Sequence, residues 1–133
     1  MRSDTPALDK LKLRLELFVG RTESVIHAAV VSPDGHPVTC TTRLDTDATD
    51  ELAAITANVV AYTRAAARCL GSTAPKQAIT ELADDRVLCV VLLGDGTHLA
   101  ILAATADRER LAFDLCRLVE LVNDYLTGSG PYG

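Results

Sequence analysis

The sequence predicts an α+β sandwich: a five-stranded antiparallel sheet with the first and last helices on one face and the middle helix on the other. Three observations lead there. Apolar residues recur at helical spacing in three separate stretches, at the start, middle and end of the chain. Five short β-rich runs lie between them, bounded by Gly, Pro and Asp turn signals. Three of those runs are apolar on both faces and two carry polar residues, which sorts them into central and edge strands.

The elements follow in the order α-β-β-α-β-β-β-α. Thr5 is placed to cap a first helix with Pro6 at its first position. Leu8, Leu11, Leu15 and Phe18 recur along it, Leu13 and Leu17 widen the apolar face, and Gly20 is placed to stop it. Val25–Val31 reads as a strand. Ser32-Pro33-Asp34-Gly35 is a strong turn, and Val38–Thr42 returns as a second strand, so the pair forms a hairpin. Asp45, Thr46 and Asp47 precede a long helix, and Asp50 and Glu51 suit its dipole. It runs to about Leu70, where Gly71 ends it. One face is expected to carry Leu52, Ile55, Val59, Tyr62, Ala66 and Cys69, and a second seam is small: Ala54, Ala57, Ala61 and Ala65. Lys76–Leu82, Val87–Leu93 and His98–Ala103 then form a meander, with tight turns at Asp84-Asp85 and Gly94-Asp95-Gly96. A last helix from about Asp107 to Leu126 turns Leu111, Leu115, Leu118, Val122 and Tyr125 inward.

The chain has 133 residues, so a single domain is expected over 1–126, with a flexible Gly-rich tail over 127–133. Hydrophobic residues make up 48% and charged residues 23%, an ordinary globular balance. The net charge is -5 with no Lys/Arg block, which disfavours nucleic acid. No signal peptide and no apolar run near membrane-spanning length is present, so a cytoplasmic protein without membrane insertion is expected. Cys40, Cys69, Cys89 and Cys116 are scattered without metal-ligand spacing and read as small hydrophobes. Ten Arg stand against three Lys in an Ala-rich chain, a bias of GC-rich bacterial genomes.

Strand chemistry also speaks to assembly. A five-stranded sheet is roughly 20–25 Å wide, from the strand spacing. One helix covers only about 10 Å of it. The middle helix alone therefore leaves its face unfinished, and the Ala seam offers close approach to a second copy. The third strand, with Lys76, Gln77, Thr80 and Glu81, is an open edge that can pair with its own copy. The expected homodimer surface is Ala54, Ala57, Asn58, Ala61 and Ala65 on the helix and Gln77, Ile79 and Glu81 on the strand.

This layout resembles the roadblock/LC7 family, in its actinobacterial branch encoded in conservon clusters. The resemblance covers about Leu11 to Leu126. It is carried by Val31-Ser32-Pro33-Asp34-Gly35, Leu44-Asp45, Glu51-Leu52-Ala53-Ala54-Ile55 and Leu93-Gly94-Asp95-Gly96-Thr97-His98-Leu99-Ala100-Ile101-Leu102-Ala103. Ala57-Asn58, Thr80-Glu81-Leu82 and Asp107-Arg108-Glu109-Arg110 depart from the branch pattern. The resemblance implies a profilin-like sandwich that dimerises through its middle helices and third strands. It further implies a non-enzymatic adaptor or regulator of a small Ras-like GTPase, with a histidine-kinase-like protein as a further partner.

The residues themselves show no catalytic constellation. Gly94-Asp95-Gly96-Thr97 lacks the Lys and spacing of a phosphate loop and reads as a hairpin turn. No GxSxG or HExxH motif is present, and no cofactor is implied. His27 and His98 approach each other if their strands are neighbours, but no third ligand is evident. Arg43, Arg64 and Arg68, which flank or lie on the middle helix, are candidate contacts for a partner GTPase. The competing reading is a small-molecule sensor of profilin- or PAS-like architecture, which needs a cavity lined by convergent polar groups.

Overall fold

Eight elements follow one another in the predicted order. They are α1 (Thr5–Arg21), β1 (Val25–Val31), β2 (Pro37–Cys40), α2 (Thr46–Cys69), β3 (Gln77–Glu81), β4 (Arg86–Leu92), β5 (His98–Ala104) and α3 (Arg108–Thr127). The structure is a computed structural model and describes residues 5–93 and 96–127. The predicted flexible tail lies outside them apart from Thr127, the last residue of α3, as do Gly94 and Asp95.

The sheet is antiparallel in the order β2-β1-β5-β4-β3. The three apolar strands are central and the two polar ones are edges, as their composition predicts. Turn chemistry sets the connections. Gly35 has φ 89°, and its N–H donates to the Ser32 carbonyl at 3.0 Å to close the β1–β2 turn. Asp84 and Asp85 both take positive φ (62° and 58°), and the Arg86 N–H reaches the Ala83 carbonyl at 3.3 Å. Positive φ at both central positions is the geometry of a type I′ hairpin, whose twist matches the strands it joins. At α2, the Asp45 side chain accepts from the Ala48 N–H at 2.8 Å, so the predicted acidic cluster does cap the helix.

The main core lies between the sheet and the α1/α3 pair. Leu11, Leu15 and Val19 from α1 meet Leu111, Leu115, Leu118 and Val122 from α3 over Val30, Val87, Cys89, Leu99 and Ile101. Burial pushes the Cys89 thiol up, since the thiolate is disfavoured there, with Arg108 opposing weakly. The second core, under α2, is built from small residues: Ala29, Ala53 and Ala100, with Val31 and Leu52.

Several expectations need correction. Leu13 and Leu17 do not widen the buried face of α1; they are 59% and 44% exposed, and Val19 takes the inward place. Gly20 does not stop the helix, which continues to Arg21. β2 is Pro37–Cys40 rather than Val38–Thr42: at Thr41 the N–H still donates to the Ala28 carbonyl at 2.9 Å, but the Ala28 N–H goes to Thr41 Oγ1 at 3.2 Å in place of a backbone carbonyl.

The inward face of α2 is Thr49, Leu52, Ala53, Thr56 and Val60. Ile55 and Tyr62, predicted inward, are exposed, and so are Ala66 and Cys69. Burying a threonine on this face leaves no hydroxyl unmet at Thr56. Thr56 Oγ1 donates to the Leu52 carbonyl one turn back at 2.8 Å, so this Thr is fully buried without an orphaned polar group.

Candidate functional site

The outward face of α2 follows from the inward one by helical rotation. With Thr49, Leu52, Ala53, Thr56 and Val60 on the sheet, Ala54, Asn58 and Ala61 point away from it and are exposed. Ala65 is half-buried on the same stripe. Ile55 and Tyr62 flank it, 42% and 77% exposed. Ala57 has a different neighbour: a Cβ built at Gly35 would stand 3.2 Å from the Ala57 methyl, so the β1–β2 turn tucks against it. Asp34, Gly35, His36, Pro37 and Asp50 line a shallow groove there together with Ala54, Ala57 and Asn58. Asp34 accepts from the Ser32 hydroxyl and stands 3.5 Å from His36, contacts that hold its carboxyl below the usual carboxylate range.

The helix does not finish its face of the sheet. It touches every strand, yet Leu88 and Leu102, which pack beside its small core, remain half-buried.

The two sheet edges differ in kind. β2 is four residues long and begins with Pro. Lys12 Nζ of α1 donates to the Cys40 carbonyl at 2.7 Å, and the Thr42 N–H donates to Glu16 Oε2 at 3.1 Å. That edge is short and tied down by a helix. β3 pairs with β4 on one side, and no such helix contact is seen on its other side among the described residues.

Register then decides where the β3 side chains go. Gln77, Ile79 and Glu81 pair with Val91, Cys89 and Val87, residues of the α1/α3 core or packed on it. They therefore lie on the α3 side of the sheet. Ala78 and Thr80, opposite Val90 and Leu88, lie on the α2 side. The sheet thus separates the helix half of the expected dimer surface from the strand half. Arg43, Arg64 and Arg68 are all exposed, with no salt bridge among the described residues.

A profile of known domains decides the family: the Roadblock/LC7 domain matches residues 11–103. The chain belongs to the Roadblock/LC7 family. Among solved structures, a Roadblock/LC7 domain from Streptomyces avermitilis is 30% identical, covers 87% of this chain and 97% of its own, and superposes with a TM-score of 0.77. MglB of Myxococcus xanthus is 14% identical over 90% of this chain and 96% of its own, with a TM-score of 0.78. The gliding protein MglB of Thermus thermophilus is 20% identical over 90% of both chains, with a TM-score of 0.76. These two likenesses are of fold. Curated proteins give no match.

Within this Roadblock/LC7 domain, the histidines do not meet. β1 and β5 are neighbours, but His27 pairs with Leu102 and His98 with Val31, which sets the two four positions apart, roughly 13 Å along the strand. His27 is fully buried, with Nδ1 2.7 Å from Thr41 Oγ1 and no hydrogen-bond partner for Nε2 among the described residues. Burial pushes its pKa below the ordinary 6.5; Lys12 adds to that and Glu16 opposes it. Among the described residues no three His, Cys, Asp or Glu side chains are grouped to hold a metal. No described helix is long and apolar enough to cross a membrane.

The sequence reading missed Ile55 and Tyr62 as surface residues. Their spacing of seven, two helical turns, puts them on one stripe of α2, but it does not say that the stripe faces outward.

Proposed function

We propose that this Roadblock/LC7 domain is a non-enzymatic, cytoplasmic, homodimeric adaptor that regulates a small Ras-like GTPase in a bacterial signalling complex. One observation carries the reading. An uncovered apolar surface on α2, with Ile55 and Tyr62 flanking Ala54 and Ala61, stands on a sheet whose far edge, β3, is open. A chain with net charge -5 that leaves such a surface bare is complete only with a partner on it. A second copy fits both features, because pairing of two β3 edges satisfies their backbone groups and brings the α2 helices together.

In this dimer the contact uses the α2 stripe, Ala54, Asn58, Ala61 and Ala65, with Ala57 supporting it from beneath the Gly35 turn. Gln77, Ile79 and Glu81 contribute through the backbone of β3. The GTPase, and a histidine-kinase-like protein beside it, are what the conservon-type family resemblance implies. Arg43, Arg64 and Arg68 are the cationic contacts proposed for it. A small-molecule sensor is less well supported, because it requires an enclosed cavity with convergent polar groups. The groove between α3 and β3 is open to solvent and mostly apolar.

Sedimentation of the purified chain at micromolar concentration, followed by GTP turnover of the Ras-like GTPase encoded nearest its gene, tests the reading. A dimer that binds the GTPase and changes its turnover, without hydrolysing GTP itself, is the expected result. A stable monomer removes the dimer, and a dimer that neither binds nor affects the GTPase removes the adaptor role.

A further inference from the structure

On the face opposite α2, the helices leave one strip of sheet bare. α1 packs over β1 and β2, and α3 packs beside α1. Between α3 and the edge strand β3 runs an open groove of about 790 Å³. Ile79 rises from its floor and Phe113 stands on its wall, 49% and 59% exposed. Val91, Leu111, Leu115 and Val119 complete an apolar lining.

The charge of the groove is opposite to that of the chain. Lys76, Arg108 and Arg117 line it against one carboxylate, Glu120, in a protein of net charge -5. Arg108 pairs with Glu81 at 3.3 Å, so with that carboxylate counted three cations stand against two carboxylates and the rim keeps a net charge of +1. The Arg117 guanidinium lies 5.9 Å from the ring centroids of both Phe18 and Phe113, which seats a cation beside the exposed aromatic wall.

We propose that this groove docks an amphipathic α-helix of a partner protein, with an apolar stripe facing Ile79 and Phe113 and acidic residues along its flanks. The floor offers side chains but no backbone ladder. The inner groups of β3 are paired with β4, and its outer groups pair with a second copy in the proposed dimer. An occupant must therefore satisfy its own N–H and C=O groups, which a helix does and an extended strand does not. Length agrees. Five residues of β3 span roughly 17 Å, room for about eleven helical residues at 1.5 Å each. The positive rim selects acidic flanks and rejects basic ones. The exclusion of strands rests on the β3-paired dimer; the charge and the apolar lining do not.

Selection from a displayed library of helical peptides about eleven residues long, on the purified chain, tests the proposal. The enriched peptides are expected to carry apolar residues at helical spacing with Asp or Glu on both flanks. Phe113→Asp, an exposed position whose change leaves the core intact, should weaken them at least tenfold, about 1.4 kcal/mol. Arg117→Glu should shift enrichment toward Lys-flanked helices. Absence of enrichment, enrichment of basic or extended sequences, or binding undiminished by Phe113→Asp overturns the proposal. Sedimentation of the same samples reads the dimer separately. A dimer that fails the selection sinks the groove alone, whereas a monomer that still selects acidic helices sinks the dimer alone.

Discussion

Replacing Ala61 by Glu places a carboxylate in the middle of the outward stripe of α2. Within one protomer the change is nearly silent. Ala61 is exposed, so the longer side chain has room, and Glu is about 0.3–0.4 kcal/mol poorer than Ala as a helix former. Arg64, three residues on, offsets part of that through an i,i+3 pair of about 0.3 kcal/mol. Between two copies the outcome is different. Each α2 brings its own Glu to a contact of small residues, where the carboxylates are desolvated and face each other across the two-fold axis. Leaving a charge buried and unpaired at an interface costs about 2–5 kcal/mol. Each 1.4 kcal/mol is tenfold, so the dimer dissociation constant should rise by roughly 30- to 4,000-fold. Sedimentation velocity over a dilution series measures this, with thermal unfolding of the dilute sample as the control for fold. Ala61→Ser, small and uncharged, should remain dimeric. An Ala61→Glu protein that dimerises as tightly as the parent refutes the α2 contact, and one that unfolds outright refutes the claim that this stripe lies outside the protomer core.

Three further predictions address other parts of the structure. Gly35→Ala meets two obstacles, a φ of 89° and the Ala57 methyl 3.2 Å from the new Cβ. It should lose about 1–3 kcal/mol in urea unfolding, and Ala57→Gly in the same chain should relieve only the contact part. On α1, Leu15→Ala should cost about 2–5 kcal/mol because Leu15 is fully buried, whereas exposed Leu17→Ala should stay within about 0.5 kcal/mol; similar losses would show that the helix is rotated wrongly. His27 is held neutral by burial, so its folded pKa lies below the 6.5 of the unfolded chain. Its contribution is complete above that value and declines as pH falls through it toward the lowered folded value, by at most about 1.4 kcal/mol per pH unit. His27→Gln should flatten that part of the stability profile relative to the parent, and an unchanged slope refutes the assignment.

Strand identity was legible in the sequence because strand chemistry is local. Val25–Val31 is apolar throughout, and β1 occupies those seven residues. Thr39 and the polar Gln77–Glu81 run marked edges, and both strands are edges. Leu111, Leu115, Leu118 and Val122 placed the buried face of α3 correctly, because polar residues separate them cleanly. The rotation of α2 was not legible. Apolar counting favours Ile55 and Tyr62 over Thr49 and Thr56, and it does not register that a threonine can go inward with its hydroxyl met by the carbonyl four residues back, as Thr56 does with Leu52. The side of β3 was equally hidden. Its alternation is weak, so the face taken by Ile79 is fixed by its register with Cys89, a contact ten residues away in sequence. Register also separates His27 from His98, which strand adjacency alone had allowed to meet.

The alanines beneath α2 connect these corrections to assembly. Ala29, Ala53 and Ala100 fill the space between helix and sheet with methyl groups, so α2 sits close to the strands. A helix set low shields only what lies directly under it. Leu88 and Leu102 at its side stay only partly buried, while Ile55 and Tyr62 on its flanks are exposed. The opposite face is built differently, with two helices carrying leucines and valines that close over β1, β5 and β4 and stop short of β3. The domain therefore leaves two separate apolar surfaces, one at α2 and one between α3 and β3, divided by the thickness of the sheet. In the proposed dimer the first is consumed by self-association and the second is not. A substitution on α2 should change oligomeric state without altering the chemistry of the α3 groove, and one at Phe113 should do the reverse. That independence is what an adaptor needs to hold its own copy and a partner at the same time.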